Sequence, residues 1–175
     1  KSKGNSIDPL IAAEAYGADA VRMSLVFGTG AGNDSNIGES KIKGMRNFTN
    51  KLWNIGRFVI DMRPDVVNYE AKHIAEDKLI LDELEKVKAS VNKAFTDYRF
   101  SQAAEELYDF VWHRFADRYI EESKTRRNEA QGVLEQVLEE SLRLLHPFMP
   151  MITEEIWQKL PRKAGESIMV SPWPK

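Results

Sequence analysis

Cysteine is absent from the 175 residues, and histidine occurs three times, at His73, His113 and His146. The first absence excludes disulfides and thiolate metal sites, and the histidines are too scattered for a zinc spacing, so no metal is expected. Glycine (10) and proline (7) are too few for a fibrous or disordered chain, and the 42% apolar and 30% charged fractions are those of a globular protein. No apolar run approaches the roughly 18 to 20 residues that cross a bilayer, and the opening KSKGNSIDPL lacks the apolar segment of a secretory signal. The chain therefore reads as cytoplasmic, with no membrane role. It has no internal repeat, and GTGAGN lacks the GxGxxG or GxxxxGK(S/T) spacing of nucleotide loops. A formal net charge of -2 gives no overall attraction to nucleic acid, so any such role must rest on a local patch.

What is present is helical periodicity. Asp8-Pro9 predicts a capped helix over about 9–16, with Gly17 closing it in a left-handed conformation. After an apolar segment, 18–27, the glycine-rich GTGAGNDSNIG must be a loop. From Lys41 to Met62, Ile42, Met45, Phe48, Leu52, Ile55, Val59 and Met62 recur at spacings of three and four, the signature of one helical face. Arg63-Pro64 ends that helix, and a domain boundary is placed in the polar stretch that follows, dividing the chain into 1–63 and 64–175. Further helices are expected over about 75–97, 101–125 with Ser101 as cap, 130–146 and 152–160, with an irregular tail. The fold class is mainly α: a helical bundle preceded by a short helical region.

Between Lys41 and Arg63, the six cations Lys41, Lys43, Arg46, Lys51, Arg57 and Arg63 face one acid, Asp61. On a helical wheel Lys43, Arg46, Asn47, Asn50, Asn54 and Arg57 share the side opposite the apolar stripe. Cations can neutralise phosphates and amides can bond sugars or base edges, so this face has the chemistry of an RNA contact. The same pattern also suits an ordinary solvated helix face. Phe58 falls at the edge of the polar side, where it could stack on a base or pack on a neighbouring domain. Ile120 is a second apolar outlier, placed on the wheel beside Asp109 and His113. Adjacent pairs such as Glu154-Glu155 diverge by about 100° around a helix, which is poor geometry for acid and base working together. No complete active site is visible.

The order of several segments carries more. KSKGNSIDPL is similar to the end of the KMSKS signature of class I aminoacyl-tRNA synthetases and its continuation. YGADAVRMSL, MRNFTNKLWNIGRFV, YRFSQAAEELYDFVWHRFADRYIEESK, LLHPFMPMITEEIW and SIMVSPWP resemble, in that order, successive segments of the valyl-tRNA synthetase family. The resemblance implies a stem-contact region of short helices, with room for a small strand near the start, followed by an α-helical anticodon-binding bundle. It implies a parent ligase that activates valine with ATP and Mg²⁺ and transfers it to tRNA(Val), with an N-terminal catalytic domain in cis, a monomeric state, and no catalysis or cofactor in this part alone. Lys1 would match the KMSKS lysine that contacts ATP phosphates. Arg57, Phe58 and Ile120 match anticodon contacts, and Lys43, Arg46 and Lys51 would anchor the tRNA backbone. Arg118 departs from the family, whose members often carry an aromatic there. An isoleucyl- or leucyl-type synthetase is the nearer alternative, and a helical protein-interaction scaffold the more distant one.

Overall fold

The computed structural model describes residues 7–30, 32, 37–61, 63–161, 163 and 165–175. Lys1, Met62 and part of the glycine-rich loop lie outside them. Among the described residues every regular element is a helix, so the small strand allowed near the start is not formed there.

Helix α1 (Pro9–Tyr16) starts as its sequence dictates: Asp8 Oδ1 accepts from the Leu10 and Ile11 amides at 2.8 and 3.4 Å, and Pro9 fills the first position, where no amide is needed. Gly17 ends it at φ 90°, ψ 142°; its φ is positive, but its ψ is extended and not the left-handed helical value expected. Helix α2 (Ala18–Val26) follows at once. Helix α3 (Glu39–Ile60) buries Ile42, Met45, Phe48, Leu52, Ile55 and Val59, the stripe read from the sequence. Gly56 lies on the same side, and a Cβ there would come within 2.7 Å of Ile156 Cγ2, so α3 packs at close range on the helix that carries Ile156, Pro150–Gln158.

Helix α4 (Ala75–Thr96) contributes Ile80, Leu84, Val87 and Val91 to the core. At its start the Asp77 carboxylate accepts from the Ile74 amide at 3.1 Å, and also receives the Tyr119 hydroxyl and the Arg126 guanidinium. Burial alone would raise the Asp77 carboxyl, but these bonds outweigh it and hold the group below its ordinary value. Helix α5 (Phe100–Asp109) is entered through Arg99. Ser101 is not its cap: the Ser101 hydroxyl accepts from the Thr29 amide at 3.0 Å and donates to Glu105 at 2.8 Å, tying α5 to the end of α2.

From Phe110 to Ile120 the helix widens to π winding, then returns to α in α6 (Glu121–Ser123) and tightens to a 3-10 turn over Lys124–Arg126. Arg118 pairs with Glu83 of α4. Helix α7 (Arg127–Leu145) supplies Leu134, Val137, Leu138, Leu142 and Leu145, and α8 (Pro150–Gln158) begins on Pro150. The tail is irregular apart from a short 3-10 turn, Ile168–Val170. One apolar core runs from Ala12 to Ile168 and includes side chains of every helix from α1 to α8 except α6.

Candidate nucleic-acid interface

The cations of α3 and the turn after it are less free than the local sequence suggests, because acids nearby in the chain and on other elements meet them. Lys51 Nζ lies 2.6 Å from Asp117 and 5.5 Å from the centre of the Trp112 ring. Arg63 pairs with the buried Glu135 at 3.0 Å. Lys43 lies 3.0 Å from Glu39, which also accepts the Tyr16 hydroxyl. Arg57 reaches Asp61 at 3.5 Å, with 62% of its side chain still exposed. Arg46 is exposed and has no ion pair among the described residues. Surface pairs of this kind contribute about 1 kcal/mol or less, so phosphates could displace most of them. The Arg63 pair is different, since Glu135 also accepts from Tyr69 and Gln131. Arg63 is a structural cation.

Phe58 and Ile120 line one pocket of about 240 Å³ together with Ile55 and Ala116, while Lys51, Asn54, Glu121 and Lys124 also line it. Ile120 is only 5% exposed, so it belongs to the pocket wall and does not project among the polar groups the wheel placed beside it. That wheel assumed 100° per residue, and the π winding from Phe110 to Ile120 breaks the assumption. Phe58 is half-buried. The volume is below the roughly 300–1,000 Å³ typical of drug-sized ligands, which suits one flat ring better than a large molecule. Lys124 Nζ pairs with Glu121 at 2.6 Å, so the pocket carries a donor and an acceptor side by side.

Arg57 is not in this pocket. It lines a different one, about 450 Å³, between α3 and α8, with Trp53, Gly56, Ile60, Asp61, Ile156 and Lys159. Neighbouring residues on an α-helix point about 100° apart, so Arg57 and Phe58 look to opposite sides of the α3 ridge. Lys43 and Arg46 lie toward the other end of α3. Among the described residues no group of three or more His, Asp or Glu is placed to hold a metal ion, and no helix is long and apolar enough to cross a membrane.

A family model described as the anticodon-binding domain of tRNA ligase matches residues 77–175, more than half of the chain. The chain belongs to that family. Its match begins in α4, so the Ile120 wall of the pocket falls inside it and the Phe58 wall precedes it. The valine–tRNA ligase of Dehalococcoides mccartyi is 45% identical over 192 residues, covering 100% of this chain and 21% of that protein. The valine–tRNA ligase of Aquifex aeolicus is 41% identical, covering 100% of the chain and 17% of the relative. The chain thus spans about a fifth of the length of such relatives. A LeuRS–tRNA–LeuAMS ternary complex from Agrobacterium radiobacter K84 contains a chain with the same fold, at a TM-score of 0.80 and 24% identity, covering 99% of this chain and 22% of that one.

Within this anticodon-binding domain, sequence reasoning missed Glu121 and Lys124 as pocket residues. A signal was available for Lys124, which follows Ile120 by four positions. Arg127 was missed too: it stacks on Phe58 with its guanidinium carbon 4.1 Å from the ring centre. Nothing in the local pattern reveals that contact, because it depends on how α7 leaves the 3-10 turn.

Proposed function

We propose that this chain is the anticodon-recognition module of a valine–tRNA ligase, and that its ligand is the anticodon stem and loop of tRNA(Val). The observation that carries the reading is the shared pocket of Phe58 and Ile120. An unstacked base lies against Phe58, with Ile120 closing the pocket and Lys51, Asn54, Glu121 and Lys124 offering donors and acceptors to its edge. Lys43, Arg46 and Lys51, carried at different angles along α3, neutralise backbone phosphates. Arg57, on the other flank, takes a different nucleotide of the loop. The module does no chemistry: activation of valine with ATP and Mg²⁺ belongs to the rest of the ligase, which acts in the cytoplasm, and the Lys1 contact to ATP has meaning only within a complete KMSKS loop.

The test is a set of binding titrations with tRNA(Val), the same tRNA with an altered anticodon, and tRNA(Ile), each at several salt concentrations. The expected result is tightest binding to the first, with log affinity falling linearly against log salt. Equal binding to all three would overturn the anticodon reading, and preference for tRNA(Ile) would overturn the valine assignment.

A further inference from the structure

We propose that Arg127 is a positioning residue for anticodon recognition, holding Phe58 so that a base can stack only from the Ile120 side. The proposal rests on the reading of the Phe58 pocket just given and adds a residue that would not itself touch RNA.

Helix α3 stops at Ile60, so the carbonyls of its last turn lack intrahelical partners. Two of them are met by side chains of α7. Arg127 Nη2 donates to the Phe58 carbonyl at 2.9 Å, and Gln131 Nε2 donates to the Val59 carbonyl at 2.8 Å. The Arg127 guanidinium also lies 4.1 Å from the centre of the Phe58 ring, well inside the ~6 Å reach of a cation–π contact. One side chain from another helix therefore grips both the ring and the backbone of the residue that carries it. The pocket is lined by Phe58 and Ile120 but not by Arg127, so the cation occupies a part of the ring surface that the pocket does not use. It also places positive charge at the carbonyl end of α3, where the helix dipole favours it.

Stacking is sequence-tolerant because every base has a π-face, so discrimination needs the ring in one orientation against a shaped wall. A free Phe58 could turn about χ1 and χ2 and offer either face; a clamped one presents a single surface opposite Ile120. Loss of Arg127 should therefore reduce the preference for the matching anticodon more than it reduces affinity for RNA in general.

The experiment measures the affinity ratio for tRNA(Val) over the same transcript with an altered anticodon, using wild type, R127M, R127K, F58A, R127M/F58A and Q131M. Methionine keeps length without charge, and lysine keeps charge without the planar fork. Q131M removes the neighbouring carbonyl partner while leaving the ring untouched. The expected result for R127M is a ratio reduced about threefold to tenfold, the size of a cation–π contact expressed as a ratio. R127K should restore part of it, R127M/F58A should be no worse than F58A, and the salt slope should stay as in wild type. Q131M should lower the melting temperature and keep the ratio, which separates ring positioning from helix-end stability. An unchanged ratio in R127M overturns the proposal. So does equal weakening of both transcripts with a shallower salt slope, which would make Arg127 a phosphate contact. If wild type does not discriminate, or F58A leaves the ratio intact, the pocket reading itself fails, and Arg127 has nothing to position.

Discussion

Asp19 Oδ2 accepts a hydrogen bond from the Ile152 amide at 2.6 Å, across 133 positions of sequence. The same carboxylate takes the Met151 amide at 3.3 Å, and one turn along α2 Arg22 donates to the carbonyls of Pro147 and Phe148. Helix α2 thus caps α8 from the side and holds the turn that leads into it, because Pro150 and its neighbours contain no capping side chain of their own. Replacing Asp19 by Ala leaves two first-turn amides of α8 without their acceptor, and should cost about 2 kcal/mol. Asp19→Asn should cost markedly less, since one amide oxygen can still accept. Denaturant melts of the two variants give the comparison, and equal stability of wild type and Asp19→Ala would show that the α2–α8 link contributes nothing.

Phe58→Ala should weaken binding of the matching tRNA by about 1–3 kcal/mol, the range for one base stacked on an aromatic. Because Phe58 is only half-buried, the accompanying loss of stability should fall short of the roughly 3–5 kcal/mol of a fully buried Phe. Titration and melting of the same preparation separate the two effects. A large stability loss with unchanged tRNA affinity would assign Phe58 to the core alone.

Gly56→Ala tests the α3–α8 crossing. On an exposed helix the change would gain about 1 kcal/mol from helix propensity. Here the new methyl would meet Ile156 Cγ2 at 2.7 Å, a branch methyl that cannot swing away, so the net effect should be a loss of about 1–3 kcal/mol from overpacking. Combining it with Ile156→Ala should destabilise less than the sum of the two single changes, because the truncation makes room for the added carbon. Strict additivity in urea melts would rule out the steric account.

Stability should fall on acidification in two stages. Burial pushes His146 below its ordinary value, with Arg22 acting in the same direction and Glu154 and Asp19 opposing. Its ring bonds Thr153 Oγ1 at 2.8 Å. The folded state binds fewer protons than the unfolded one, so this contribution is intact above the unfolded value of about 6.5 and is lost as the pH falls through the lower folded value. Asp77, also held below its ordinary value, behaves in the same sense further down, from about pH 3.9. Melting temperatures measured from pH 7.5 to 5.5 should decline in wild type and decline less in His146→Gln. A slope identical in both proteins would remove His146 as the cause of the first stage.

Much of the frame is readable from side-chain spacing. The α3 stripe is legible because six apolar residues, from Ile42 to Val59, repeat at three and four with a clear polar side, and α1 because Asp8, Pro9 and Gly17 each have a local geometric consequence. The mistaken cap at Ser101 shows where such reading stops: the hydroxyl has a partner in Thr29, just past α2 and 72 positions away, that local pattern cannot reveal. The run of cations from Lys41 to Arg63 misleads for the same reason, since Asp117 and Glu135 arrive from elsewhere in the fold to meet Lys51 and Arg63. At the pocket, Phe58 and Ile120 were each identifiable as apolar residues out of place. Their sharing of one pocket was not, because it depends on a change of helical pitch that no periodicity rule anticipates.

That change of pitch also sets how the segment tolerates changes in length. A π stretch holds more residues per turn than the α-helix on either side of it, so the run from Phe110 to Ile120 behaves as slack wound into the rod. Removing one residue there takes out one residue's rotation, but as the winding relaxes toward α each remaining residue turns a little further, and the two effects oppose each other. Ile120, Glu121 and Lys124 would keep roughly their direction toward the Phe58 pocket while the bundle upstream stayed folded. A single-codon deletion in this stretch should therefore be tolerated better than one in α3, whose uniform α winding would turn everything beyond the cut by about 100°.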